Sequence, residues 1–167
     1  MDYKTGEKKF SLEKTEKGID LQMLMYLFAC CDADKTGKTL PAGVLYMPAS
    51  APKLDGEKEY ENITEAAAKG IKKSGLLLAD PEIIRAMEAE GGGVFIPARL
   101  NKDGSISARG VSTKTLEEFD ELKDNLTKTV RDMGTRLISG DMCINPLKDL
   151  DISPCTYCEY KAFCRKK

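Results

Sequence analysis

The chain holds 167 residues, enough for one ordinary domain with its own core or for a piece of a larger protein. Its 41% hydrophobic and 32% charged residues exclude a disordered polymer, and no apolar run reaches membrane-spanning length, the longest being Leu21 to Cys31 with Gln22 inside it. Lys and Arg number 26 against 27 Asp and Glu, a balance that argues mildly against a free-standing nucleic-acid-binding domain, and the absence of histidine excludes Ser–His and Cys–His catalytic pairs, histidine bases and histidine ligands.

In chain order, Asp2-Tyr3-Lys4 followed by Thr5-Gly6 reads as the end of a strand entering a turn, and the polar stretch to Lys17 as a loop. From Gly18 to Cys31 the pattern is almost wholly apolar (Ile19, Leu21, Met23, Leu24, Met25, Leu27, Phe28) and predicts a helix buried on most sides. The stretch from Asp32 to Lys38 breaks it. Val44-Leu45-Tyr46-Met47, between Pro41-Ala42-Gly43 and Pro48, predicts a strand. Tyr60, Ile63, Ala67 and Ile71 recur at helical spacing and predict a helix over 59–73. Asp80-Pro81, a cap followed by a first-turn proline, opens a helix over 82–89 that Gly91-Gly92-Gly93 ends. Residues 94–100 and 105–108 flank Asn101-Lys102-Asp103-Gly104 as a hairpin, with Pro97 placing the first arm on a sheet edge. The clearest helix follows: Thr115-x-x-Glu118 forms a capping box, Leu116, Phe119, Leu122, Leu126, Val130, Met133 and Leu137 draw one apolar stripe, and Gly140 is the stop.

Chemistry without histidine must use carboxylates, lysines, tyrosines, thiolates or a bound metal. The six cysteines are Cys30, Cys31, Cys143, Cys155, Cys158 and Cys164. The polar first residues show no secretory pattern, so a cytoplasmic location is expected and thiols or metal ligands are favoured over disulfides. Cys30 and Cys31 close an apolar segment and read as buried packing residues. Cys155, Cys158 and Cys164, spaced C-x2-C-x5-C, can grip a soft metal or an iron–sulfur cluster, with a fourth ligand from elsewhere. Cys143 is the nearest fourth candidate, although Met142-Cys143-Ile144 reads as an apolar, strand-like piece whose cysteine packs. A small zinc-binding interaction module is the alternative reading of this knot.

Acid-x-Lys triplets such as Asp2-x-Lys4 occur by chance in most proteins, and alone this one is better read as a surface pair beside a strand end. Residues two apart in a strand nonetheless share a side, where a carboxylate can bind Mg²⁺ and an ammonium can stabilise charge or orient water at a phosphodiester. Gln22 is read as a buried amide that needs a hydrogen-bond partner, either a neighbouring backbone group or a site role shared with Tyr26 one turn on. Lys161, Arg165, Lys166 and Lys167 crowd the last cysteine, and Lys4, Lys8 and Lys9 crowd Asp2; either cluster also fits a solvated surface.

Taken together, Asp2-x-Lys4, Gln22-x3-Tyr26 and the cysteine knot resemble the RecB-type nucleases of the PD-(D/E)XK class, most closely the C-terminal nuclease domain of AddB-type helicase–nuclease subunits. Pro41-Ala42-Gly43-Val44-Leu45-Tyr46, Gly75-Leu76-Leu77-Leu78-Ala79-Asp80-Pro81 and the stretch from Ser139 to Pro146 carry the resemblance along nearly the whole chain. It implies an α/β fold: a partial PD-(D/E)XK (restriction-endonuclease-like) core at 1–48, an α+β C-terminal extension at 49–150 and a cysteine clasp at 151–167. Asp2 and the backbone carbonyl of Tyr3 would hold Mg²⁺, Lys4 would assist the attacking water, and Gln22 with Tyr26 would border the site. Cys155, Cys158 and Cys164 would supply three ligands to a [4Fe-4S] cluster.

The partners so implied are single-stranded DNA and an AddA-type helicase subunit, in double-strand-break repair and recombination, with no membrane. The resemblance also implies that the first acidic motif and first cluster cysteine precede Met1. The chain alone is therefore expected to be inactive, and its Asp2 strand to leave an edge prone to self-association.

Overall fold

The structure is a computed structural model that describes residues 9–48, 63, 67, 71–108, 112–141, 143, 146–147 and 153–164. The polar stretch expected to be a loop instead forms a short helix, α1 (Leu12–Glu16). Ser11 caps it through the Lys14 amide, Lys17 pairs with Glu13 one turn back, and the buried Thr15 hydroxyl donates to the Ser11 carbonyl. Local capping thus outweighs a polar composition.

The next helix, α2 (Gln22–Ala33), runs past the cysteine pair expected to end it. It is not buried on most sides: only Leu24 and Phe28 are buried, with Leu21, Met23 and Leu27 packed beside them, while Met25 and Tyr26 are 41% and 54% exposed. The helix lies against the body along one face, and its outer apolar residues stay wet. Cys30, expected to pack, is exposed, and Cys31 is half-buried. Asp34 stops the helix and organises the following turn, its carboxylate accepting from the amides of Thr36, Lys38 and Thr39 and from both threonine hydroxyls.

Three strands make one mixed sheet in the order β1 (Gly43–Tyr46), β2 (Ser74–Leu78), β3 (Thr113–Lys114), antiparallel between the first pair and parallel between the second. β1 matches the expected strand. β2, read in the sequence only as a motif stretch, is the centre of the sheet. Alternate leucines along it serve two cores, as the two-residue period of a strand requires. Leu76 and Leu78 join Leu24, Phe28, Val44, Phe119, Leu122 and Leu126, whereas Leu77 joins Ile84, Ile96 and Ala98. The larger core thus draws on residues on both sides of position 48. Gly75 has no alternative at its place, because a Cβ there would lie 2.0 Å from the Val44 carbonyl oxygen.

The third helix, α3 (Pro81–Met87), opens as expected on the Asp80 cap and a first-turn proline. It ends sooner than expected because Glu88 leaves the helix and its carboxylate accepts from the Val94 and Phe95 amides. Burial pushes the Glu88 carboxyl upward, and the amides of residues 93–96 outweigh it, so its pKa falls below the ordinary value. That contact also bends 94–97 away from a strand. The expected hairpin shrinks to one antiparallel bridge, Leu100 with Ile106, across the Asn101–Gly104 turn. Pro97 is buried rather than on a sheet edge, its carbonyl accepting from the Ser112 amide. Most of the helix expected over 59–73 lies outside the described residues; Ile63 and Ala67 are helical.

The long helix α4 (Leu116–Ile138) carries the capping box read from its sequence, with Thr115 and Glu118 exchanging side-chain and backbone hydrogen bonds. Phe119 packs edge-on against Phe28, ring centroids 6.4 Å apart, and Lys123 pairs with Asp32, so α2 and α4 are joined through both a dry and a charged contact. Gly140 closes the helix at φ +74, in the left-handed region that favours glycine. Among the described residues no helix is long and apolar enough to cross a membrane.

Candidate active site and cysteine clasp

Two reversals lead the chain into α2, at Gly18 (φ +82) and at Asp20 (φ 60), the latter a non-glycine residue in the left-handed region. No side chain caps the helix at Leu21. On its first exposed turn Gln22 Nε2 donates to Tyr26 Oη at 2.9 Å. Gln22 is exposed, so the expectation of a buried amide is overturned: α2 turns its Leu24 and Phe28 face inward, and Gln22 and Tyr26 point outward together. The pair that the sequence placed on one helical face is therefore brought into contact, with Tyr26 keeping its own O–H to give and Gln22 its carbonyl oxygen to accept.

Asp2, Tyr3 and Lys4 lie outside the described residues. The chain that follows them is anchored at Phe10, whose amide donates to Ser74 Oγ at 3.2 Å and whose ring sits 6.4 Å from that of Tyr46. Phe10 thus ties the incoming segment to the paired ends of β1 and β2, where Tyr46 faces Ser74. The sequence reading passed it over. A lone aromatic in an otherwise polar stretch was the available signal.

At the other end, Ser153 Oγ accepts from the Cys155 amide and starts a 3-10 turn over Pro154–Tyr157; Cys158 is extended, and a second 3-10 turn covers Glu159–Ala162. The Cys164 amide donates to the Tyr160 carbonyl at 2.8 Å. Cys155 and Cys164 are half-buried and Cys158 is exposed. Three thiols with no histidine form a donor set suited to a soft metal or an iron–sulfur cluster. Among the described residues no three thiol or carboxylate side chains converge as a metal-holding group. Around the thiols Tyr157, Tyr160 and Phe163 stand 82%, 71% and 86% exposed.

Cys143 is exposed, not packed as expected: its amide donates to Asp141 Oδ1 at 3.0 Å, and Arg136 Nε donates to Asp141 Oδ2 at 2.7 Å. The Arg136 hydrogen bond, supported by Cys143, holds the Asp141 carboxyl down to about 2. Burial raises the Cys31 thiol, and neighbouring Asp32 adds to it, so Cys31 stays protonated at neutral pH.

A small mixed sheet with helices packed against it is an α/β arrangement, and the family model described as PD-(D/E)XK nuclease superfamily matches residues 1–165. The chain belongs to that superfamily. It is similar to proteins named as the B subunit of an ATP-dependent helicase/deoxyribonuclease. With that of Clostridium acetobutylicum it is 37% identical over 172 residues, covering 99% of this chain and 15% of the relative. With that of Clostridium novyi the identity is 38% over 175 residues (98% and 15%), and with that of Acetivibrio thermocellus 35% over 172 residues (99% and 15%). The chain thus spans about 15% of the length of these relatives.

Proposed function

We propose that this chain is the nuclease portion of a B-type helicase/deoxyribonuclease subunit, cutting DNA phosphodiester bonds with Mg²⁺ while an AddA-type helicase partner supplies the strand during break repair and recombination. The observation that carries this is similarity along 98–99% of the chain to subunits of that name, together with the family match over residues 1–165. In this reading the Asp2 carboxylate and Tyr3 carbonyl would hold Mg²⁺, which when bound would supply an activated water and charge neutralisation at the phosphate. Lys4 stabilises the developing negative charge. The hydrogen-bonded Gln22 and Tyr26 keep the second Gln22 N–H and the Tyr26 O–H to donate and the Gln22 carbonyl oxygen to accept, on the exposed first turn of α2, enough to orient a DNA backbone. Cys155, Cys158 and Cys164 would give three thiolates to a [4Fe-4S] cluster, whose role would be to fasten the C-terminal clasp rather than to carry electrons.

The test places this chain in the Clostridium acetobutylicum relative in exchange for its matching stretch, assembled with the helicase partner. Mg²⁺-dependent degradation of single-stranded DNA should appear there and not with the chain alone. Asp2→Ala or Lys4→Ala should lower it at least about 100-fold while ATP-driven unwinding persists. Tyr26→Phe should cost less, about tenfold, because it removes only the hydroxyl's hydrogen bonds and leaves Asp2 and Lys4 in place. Cutting that survives both Asp2→Ala and Lys4→Ala defeats the assignment. For the cluster, anaerobic preparations should contain iron and acid-labile sulfide and lose both in Cys158→Ser; stoichiometric zinc would refute it.

A further inference from the structure

The apolar stripe of α4 outruns the body that covers it. Phe119, Leu122 and Leu126 are 0%, 6% and 8% exposed, Val130 is half-buried, and then Met133, Leu137 and Ile138 rise to 46%, 74% and 89%. This end of the helix is fully built: Ser139 N donates to the Thr135 carbonyl, Gly140 closes the last turn, and Arg136 is held by Asp141. Gly134 sits in the same stripe, four residues after Val130 and four before Ile138. A glycine weakens a helix interior relative to alanine. Among the described residues nothing lies within 4 Å of the position its Cβ would take, so no contact among them explains it. Removing a side chain on an apolar face lets a second backbone approach closely.

We infer that the distal half of α4, from Val130 to Ile138, is a docking face for a helix from the part of the full-length protein outside these 167 residues, crossing at Gly134. Continuity with the larger core argues for a permanent occupant, and the relatives carry most of their length beyond the stretch this chain matches. The neighbouring charges, Arg131, Asp132, Arg136 and Asp141, balance one another and offer no basic track for a nucleic-acid backbone. Four apolar side chains are too few to hold two copies of this chain, since stable interfaces use roughly 20–30 residues a side. The inference rests on the helicase/deoxyribonuclease reading but not on catalysis, so a Lys4→Ala background leaves its test unchanged.

Gly134→Ala and Gly134→Leu are compared in this chain alone and in the Clostridium acetobutylicum chimera. Alone, Gly134→Ala should raise Tm by about 2–4 °C through helix propensity, and Gly134→Leu should not lower it. In the chimera Gly134→Leu should lower Tm by at least about 5 °C, the opposite sign, because the bulky side chain blocks the crossing. Amides 133–138 should exchange at least about tenfold more slowly in the chimera than in the chain alone. If the chimera does not fold, the chain and the truncated relative are mixed, and Leu137→Glu should weaken their complex at least tenfold. Equal exchange in both settings, the same sign for Gly134→Leu in both, no complex in trans, or a dimer of the chain alone that Leu137→Glu splits would each overturn the inference.

Discussion

Along β2, Leu76, Leu77 and Leu78 are 3%, 0% and 4% exposed, whereas in the clasp Tyr157, Tyr160 and Phe163 are 82%, 71% and 86% exposed. Both stretches are short, and both are rich in large apolar groups. The first is sandwiched: two cores take alternate leucines, and strands flank it on either side. The second is shaped by hydrogen bonds of short range, Ser153 to Cys155, Cys158 to Lys161 and Tyr160 to Cys164. Burial stabilises the sheet body, while the clasp has local turns and three thiols. A cross-link of the kind proposed for the three thiols would matter in the clasp and be superfluous in the sheet, because loop-like structure that buries little gains most from being tied to something else.

Substitutions can break or sharpen this contrast. Phe119→Ala, which empties a fully buried site against Phe28, should cost about 3–5 kcal/mol in urea unfolding. Thr115→Ala removes one half of the capping box and should cost about 1 kcal/mol, read as a lower urea midpoint with unchanged slope. Lys123→Met breaks an ion pair whose side chains are 34% and 59% exposed, so solvent screening should hold the loss to at most ~1 kcal/mol, vanishing at high salt. Phe163→Ala in the clasp should change body stability by less than about 0.5 kcal/mol, and a larger loss would show that the clasp packs on the body.

A pH titration reads the end of α4 apart from the buried core without mutation of the core. The Asp141 carboxyl, lowered from 3.8 to about 2 by Arg136, contributes stability that is fully present above pH 3.8 and is lost as pH falls through about 2. Its side-chain NMR resonance should titrate near pH 2 and move up towards 3.8 in Arg136→Gln, while Phe28 and Phe119 signals stay unchanged over that range.

Elements with local punctuation were legible from residues alone. Asp80-Pro81, the Thr115–Glu118 box, Gly140 and the β1 stretch each carry their cause within a few positions, and the structure places them where those causes dictate. The errors fall where a distant partner decides. Pro97 is buried because Glu88 takes the amides after Gly93, and no window around Pro97 contains that carboxylate. Gln22 is exposed because α2 has one packed face, although its flanking residues are apolar on every side.

The amino-acid sequence by itself settled the membership of this chain in its superfamily, the pairing of Gln22 with Tyr26 on one helical face, and the all-thiol character of the knot, since residue identity and helical spacing are local properties. Tertiary structure alone decided that β2 is the sheet's centre, that Phe10 anchors the segment after Lys4, and that α4's stripe is covered over its first half and open over its second. Those outcomes depend on which surfaces meet, and contact between residues far apart in sequence is fixed by packing rather than by spacing.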